Sequence, residues 1–207
     1  MATRIAVLDY EAGNLHSVLR GLAQAGGDAF VTRNATDAAA ADALVVPGVG
    51  HYGQCLSQLI DAGLQTLVSE WVAERRPLFG ICVGMQIMYP RSEEAPDVRG
   101  LGLLPGEVKR LGDEVVVPHM GWDRIRVVAD EPLLEGLDGE RAYFANSYYA
   151  APADPAHVTA VCDYGPGFPC VVRPGSVVGV QFHPEKSAEV GARVLSNFVS
   201  TVTRRIN

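Results

Sequence analysis

Pro77-Leu78-Phe79-Gly80-Ile81-Cys82-Val83-Gly84-Met85-Gln86 is the stretch on which the reading of the chain turns. Leu78 to Ile81 is a brief apolar run opened by a proline, which marks a short buried strand, and Val83 to Met88 starts a helix. Cys82 stands at the joint, with Gly80 before it and Gly84 after it. That G-x-C-x-G spacing is the cysteine form of the nucleophile elbow, a strained strand-to-helix turn. Such a turn lifts the thiol above the carboxyl edge of a sheet. It also sets the sulfur at a helix N-terminus, where free N–H groups and the helix dipole favour a thiolate. By itself the spacing favours a buried structural cysteine beside a packing glycine, so the rest of the chain has to supply the partners.

Around the elbow, strands and helices alternate. Arg4 to Asp9 is an apolar strand, and Asn14 to Ala25 is a helix with Leu15, Val18, Leu19 and Leu22 on one face. Gly26-Gly27 stops it. Asp28 to Thr32 and Ala43 to Val46 read as strands. A helical stretch from Gln54 to Arg75, broken near Gly63, turns Leu64, Leu67, Val68, Trp71 and Val72 inward. This order predicts an α/β fold of three αβα layers around a mainly parallel sheet, with ligands at the carboxyl ends of its strands. After Gly100 the pattern changes to short strands over Glu107–Leu111, Val115–Val117, Trp122–Val128, Arg141–Tyr149, His157–Asp163 and Cys170–Arg173. Gly, Pro and Asp turns separate them, and they read as antiparallel strands extending the sheet edge. Ser176 to Phe182 returns as a strong strand, and Ser187 to Arg205 closes the chain as a helix. Apart from the alanine run Ala38 to Ala41, no repeat, linker or low-complexity segment breaks this into parts.

At 207 residues, 48% of them hydrophobic, the chain is expected to be one domain with a sizeable core. No apolar run is long enough for a membrane span, and the N-terminus enters a strand without a signal peptide's apolar region. The net charge of −7 argues against nucleic acid as a partner. Cys55, Cys82, Cys162 and Cys170 show no C-x-x-C pair and no zinc spacing, so no metal is expected. Four cysteines without a secretion signal point to reduced thiols in the cytoplasm.

The partners for Cys82 come from Gly179-Val180-Gln181-Phe182-His183-Pro184-Glu185-Lys186. His183 leaves the end of an apolar strand, and Pro184 keeps it extended. Residues i and i+2 of an extended segment share a side, so the Glu185 carboxylate can reach the His183 imidazole and fix its tautomer. With Cys82 on a neighbouring strand end, this makes a Cys-His-Glu triad. His16, His51, His119 and His157 have no carboxylate at that spacing. Pro47-Gly48-Val49-Gly50 follows the strand Ala43 to Val46 at the same sheet edge. A glycine-rich turn there lets backbone N–H groups point into the cleft. The N–H of Val83 and that of Val49, beside Gly50, are the two candidate donors for an oxyanion on a Cys82 adduct. An ordinary strand-to-helix turn fits the Pro47–Gly50 spacing as well.

Together these segments resemble the class I, triad-type glutamine amidotransferases over nearly the whole chain. Within them the chain is similar to the family of glutaminase subunits of imidazole glycerol phosphate synthase. Further landmarks are Asp9-Tyr10 with Gly13-Asn14-Leu15, Pro118-His119-Met120-Gly121-Trp122, and Ser147-Tyr148-Tyr149. The resemblance implies that Cys82 attacks the side-chain amide of glutamine, that His183 carries the proton to the leaving ammonia, and that Glu185 holds His183. It places Gln86 and Glu94 at the amino-acid head of the substrate, and Ser147 and Tyr148 along its side. It implies no cofactor. It implies a heterodimer with a (β/α)8-barrel synthase subunit that receives the ammonia, contacted through Asn14, His119, Met120 and Trp122. The chain departs from the family's pattern at Asn146, where histidine is usual, and at Glu11, where glycine is common.

Ammonia in water is mostly protonated and no longer nucleophilic, so a glutaminase without its own synthase site must deliver it to another protein through a water-excluding path. Three alternatives remain open in the sequence: a glutaminase serving pyridoxal phosphate or anthranilate synthesis, a non-catalytic binding subunit of the same fold, and a cysteine peptidase.

Overall fold

A computed structural model describes residues 2–206. The strands Arg4–Leu8 (β1), Asp28–Thr32 (β2), Ala43–Val46 (β3) and Leu78–Ile81 (β4) are short, apolar and parallel, in the spatial order β2-β1-β3-β4. The helix Leu15–Gln24 (α1) joins β1 to β2. The helix Ala35–Ala39 (α2) then leads back across β1 to β3. Right-handed crossovers in opposite directions place α1 and α2 on opposite faces of the sheet. The order reverses between β1 and β3, and the carboxyl ends of strands at such a reversal open a crevice.

The stretch between β3 and β4 forms two helices, Tyr52–Asp61 (α3) and Gln65–Ala73 (α4). Gly63 separates them at φ +70°, a left-handed conformation that ends α3. Leu64, Leu67, Val68 and Trp71 are buried as their spacing requires. The sequence reading passed over α2 as an alanine run. Asn34 caps it, its Oδ1 accepting from the N–H of Thr36 and of Asp37.

After the short helix Val83–Gln86 (α5) come Gly106–Arg110 (β5), His119–Val127 (β6), Arg141–Asn146 (β7), Tyr148–Pro152 (β8), Val158–Cys162 (β9), Phe168–Val172 (β10) and Val177–Val180 (β11). β11 lies parallel beside β4, with Gly179 opposite Gly80. From there β10, β9, β6 and β7 continue the sheet as antiparallel strands, making nine in all. The parallel core with an antiparallel extension is as expected.

Two strand assignments need correction. Arg141 to Tyr149 is not one strand: it breaks at Ser147, after which β8 leaves the main sheet and pairs with β5. Val115 to Val117 forms no strand. A turn precedes it, Pro118 lacks the N–H a ladder needs, and Val116 lies exposed with its carbonyl accepting from the Tyr164 hydroxyl.

The closing helix Ala188–Ile206 (α6) packs beside α1, where Gly21 leaves room for Leu195, and against β4, where Phe198 stacks on Phe79 at 4.9 Å. Among the described residues, no helix is long and apolar enough to cross a membrane.

Candidate active site

The elbow forms where β4 runs into α5. Cys82 adopts φ 51° and ψ −117°, a conformation a non-glycine residue holds at a cost of about 1–3 kcal/mol. The neighbours over-determine it. The Cys82 N–H donates to the Val180 carbonyl at 2.8 Å, and its own carbonyl accepts from the Met85 and Gln86 N–H groups. A Cβ on Gly80 would lie 2.8 Å from Met85 Cα. The second glycine has a different cause. A Cβ on Gly84 would meet the Val46 carbonyl oxygen at 2.1 Å, and one on Gly48 would meet the Gly84 nitrogen at 2.2 Å. The elbow and the Pro47–Gly50 turn therefore press backbone against backbone, and both glycines are required by that approach.

β11 delivers the base. His183 is extended at φ −101° and ψ 99°, as Pro184 demands, but Pro184–Lys186 then curls into a single 3-10 turn. Glu185 reaches His183 from that turn, not along a strand, with Oε1 at 2.9 Å from Nδ1. Both side chains are buried. Ser187 pins the segment: its Oγ donates to the His183 carbonyl at 2.7 Å and accepts from the Tyr143 N–H at 2.9 Å. Burial by itself would lower the His183 pKa. The neighbouring Cys82 sulfur, together with the Glu185 carboxylate, outweighs it and holds the imidazole up at about 10. Burial pushes the thiols of Cys55 and Cys162 up to about 12, so neither ionises by itself at neutral pH.

A cavity of about 290 Å³ opens over Cys82. Val49, Gly50, Val83, Gln86, Glu94, Ser147, Tyr148 and His183 all line it, so the predicted nucleophile, base, oxyanion and substrate residues converge on one space, with Glu185 behind His183. Two of them are partly committed elsewhere. Gln86 Nε2 donates to Gln181 Oε1 at 2.9 Å and to the Tyr148 carbonyl at 3.0 Å. Glu94 Oε2 accepts from the Tyr52 N–H at 2.7 Å, capping the first turn of α3.

Gln181 was missed as a site residue. It is fully buried, and its Nε2 lies 3.4 Å from Cys82 Sγ. No local signal marked it: it follows β11 directly, and β11 lying beside β4 is what brings it to the thiol. Asn146, noted as a departure, also lines the cavity, with Nδ2 donating to the Tyr148 carbonyl at 3.1 Å.

The four residues expected at a partner interface divide. Asn14 is exposed and caps α1. Met120 and Trp122 are 66% and 48% exposed, and Met120 lines the cavity with Val49. His119 is the correction. It is buried, stacked between Phe144 and Tyr164, because strand alternation turns it inward where Met120 points out. Glu11 sits at φ +66°, which explains why a glycine is favoured at this position.

A family profile described as glutamine amidotransferase class-I matches residues 6–202. The chain is 49% identical over 203 residues to the imidazole glycerol phosphate synthase subunit HisH of Halobacterium salinarum, covering 94% of this chain and 92% of that one. It is 42% identical to the subunit of the same name from Methanothermobacter thermautotrophicus, covering 96% and 98%. Among solved structures, a glutamine amidotransferase crystal structure shares the fold at a TM-score of 0.75 and 24% identity, over 96% of this chain and 98% of that one. With these relatives and this site, the chain belongs to the class-I glutamine amidotransferases, in the family of the HisH subunits of imidazole glycerol phosphate synthase.

Proposed function

We propose that the chain is the glutaminase of an imidazole glycerol phosphate synthase, acting as a single domain in the cytoplasm. What carries this is the placement of Cys82 and His183 together on the cavity, with Glu185 bonded to His183 Nδ1 from behind. Cys82 Sγ attacks the side-chain amide carbon of glutamine. The carbonyl oxygen becomes an oxyanion, with the N–H of Val83 and of Val49 as its donors. His183, carrying the thiol proton, passes it to the amide nitrogen as the C–N bond breaks, releasing ammonia and leaving a glutamyl thioester. Water then attacks the thioester, giving its proton to His183. The C–S bond breaks, glutamate leaves, and Cys82 and His183 regain their starting forms. Gln86 and Glu94 flank the amino-acid head of the substrate, and Ser147 and Tyr148 its side.

Ammonia passes to a (β/α)8-barrel synthase subunit, for which exposed Met120, at the cavity, and Trp122, two residues on along β6, offer an apolar docking surface. That subunit makes imidazole glycerol phosphate and an aminoimidazole carboxamide ribotide in histidine biosynthesis. The test is Cys82→Ala in the assembled complex. Glutamine-dependent turnover should vanish while turnover with added ammonium salts continues. Residual glutamine-dependent turnover would overturn the assignment.

A further inference from the structure

His119, Asp123 and Cys162 lie apart from the triad and have no part in the hydrolysis. One imidazole nitrogen, one carboxylate oxygen and the Cys162 sulfur come within 4.8 Å of one another. We propose that these three side chains form a binding site for a thiophilic divalent cation of the zinc type.

The donor set is sulfur, imidazole nitrogen and carboxylate oxygen, the mixture that zinc takes and that magnesium or calcium do not. Metal–ligand distances of about 2.0–2.3 Å put tetrahedral ligand atoms roughly 3.3–3.8 Å apart, so closing the shell needs a contraction of about 1.5 Å at most. His119 Nε2 already stands 3.5 Å from Asp123 Oδ2. The ligands are held in place without a metal. The His119 ring is stacked between Tyr164 at 3.9 Å and Phe144 at 5.1 Å. Asp123 Oδ1 accepts from the Arg124 N–H at 2.8 Å, which presents Oδ2 to the imidazole. Cys162 is fully buried on β9, opposite Ile125 of β6, and therefore diagonal to Asp123 on that face.

The charges close as well. On binding, the Cys162 thiol loses its proton to solvent and a sulfur–metal bond forms. Thiolate and carboxylate then balance the dication, and the half-exposed edge of Asp123 leaves the fourth position to water. No sequence spacing signalled this site, because Cys162 comes from a different strand. A bound cation would strap β6 to β9 just beyond Pro118 and Met120, which line the cavity.

The test uses Co2+ as an optical probe, on the full chain carrying Cys82→Ala so that the catalytic thiol cannot contribute. A single Co2+ should bind with a thiolate-to-metal charge-transfer band, and excess Zn2+, which takes the same tetrahedral sulfur and nitrogen donors, should erase it. Cys162→Ser should abolish the band. Asp123→Asn, on a half-exposed side chain that folding tolerates, should weaken Co2+ binding by about 10- to 100-fold or more, the scale for losing even an outer partner of a metal ligand. No thiolate band in the parent chain, a band that survives Cys162→Ser, or unchanged affinity in Asp123→Asn would each overturn the proposal.

Discussion

The turns after β3 and β4 lie side by side at the sheet edge, and they are built in opposite ways. The elbow is closed. Cys82 and Val83 are buried, and the Cys82 carbonyl and N–H are both hydrogen-bonded. The turn after β3 is open. Val49 is 41% exposed, and Gly50 sits at φ +88° with no atom within 4 Å of where a Cβ would be. At Pro47 and Gly48 the base of the open turn presses on the closed one at Gly84. The nucleophile and its base are thus fixed by the fold, whereas the second oxyanion donor sits on a peptide with freedom to rotate. Acid–base chemistry is built in, and oxyanion stabilisation is left adjustable.

The closed side predicts the largest effect. Glu185→Gln should lower the turnover number by roughly 10⁴-fold, the loss known for neutralising a triad carboxylate, with KM little changed. The same variant should shift a titration. In the native chain His183 is raised from 6.5 to about 10, so its stabilising contribution is complete below pH 6.5 and is lost as pH rises through about 10. Removing the Glu185 charge leaves the Cys82 sulfur alone against burial, so the His183 pKa should fall. Imidazole NMR across that range reads it. An unmoved titration with full turnover would mean that Glu185 does not orient the base.

The open side predicts a smaller effect, through the partner. If the Val49 N–H points away in the free chain, the oxyanion lacks one donor, a loss of about 10²–10³-fold in rate. Glutamate release should therefore rise by that order from the free chain to the complex with synthase ligand bound. Equal rates would show the open turn to be pre-formed and erase the contrast with the elbow.

The closed region was also the more legible one. β2, β3 and β4 fall on their sequence boundaries because each is a short apolar run ended by Asn, Gly or Cys turn residues. The triad was legible because Gly80, Gly84 and Pro184 are punctuation with a steric cause. What stayed hidden depended on tertiary neighbours. Nothing local says that β7 and β8 part at Ser147 to join different sheets. The inward face of His119 is set by Phe144 and Tyr164, and Gln181 becomes a site residue only because β11 lies beside β4. The periodicity that marked its strand could not say which neighbour it would meet.

Gly48 tests the seam between the two turns. Gly48→Ala forces a methyl against the Gly84 nitrogen, where both sides are backbone and cannot yield. Overpacking of this kind costs about 1–3 kcal/mol, and the upper end is expected. It should also displace the elbow, slowing alkylation of Cys82. Gly50→Ala meets open space and only the strain of its φ, about 1–2 kcal/mol. Its Cys82 alkylation rate should stay at the parent value. Denaturant melts and thiol-labelling rates of the two variants decide it, and equal labelling would show that the turns are mechanically independent.

The smallest effect is expected at Tyr10, beneath the open turn. Its ring is buried at the end of β1, and its hydroxyl donates to the Pro47 carbonyl, with Cys55 Sγ 3.4 Å away. Burial holds the phenol well above its usual pKa, so the O–H remains a donor at every pH at which the enzyme works. Gly13 packs on the same proline, where a Cβ would lie 2.9 Å from Pro47 Cβ. The base of the turn is therefore fastened while its tip is free. Tyr10→Phe keeps the ring and removes the fastening. The Pro47 carbonyl then loses its donor, at a cost of about 1–3 kcal/mol in stability. If the fastening positions Val49, the turnover number should drop by about 2- to 10-fold, the equivalent of a net hydrogen bond of 0.5–1.5 kcal/mol, while Cys82 labelling is unchanged because the elbow does not depend on Tyr10. A variant that loses stability but keeps its full turnover number would show that the position of Val49 is set by the partner and by Gly48, and not from beneath.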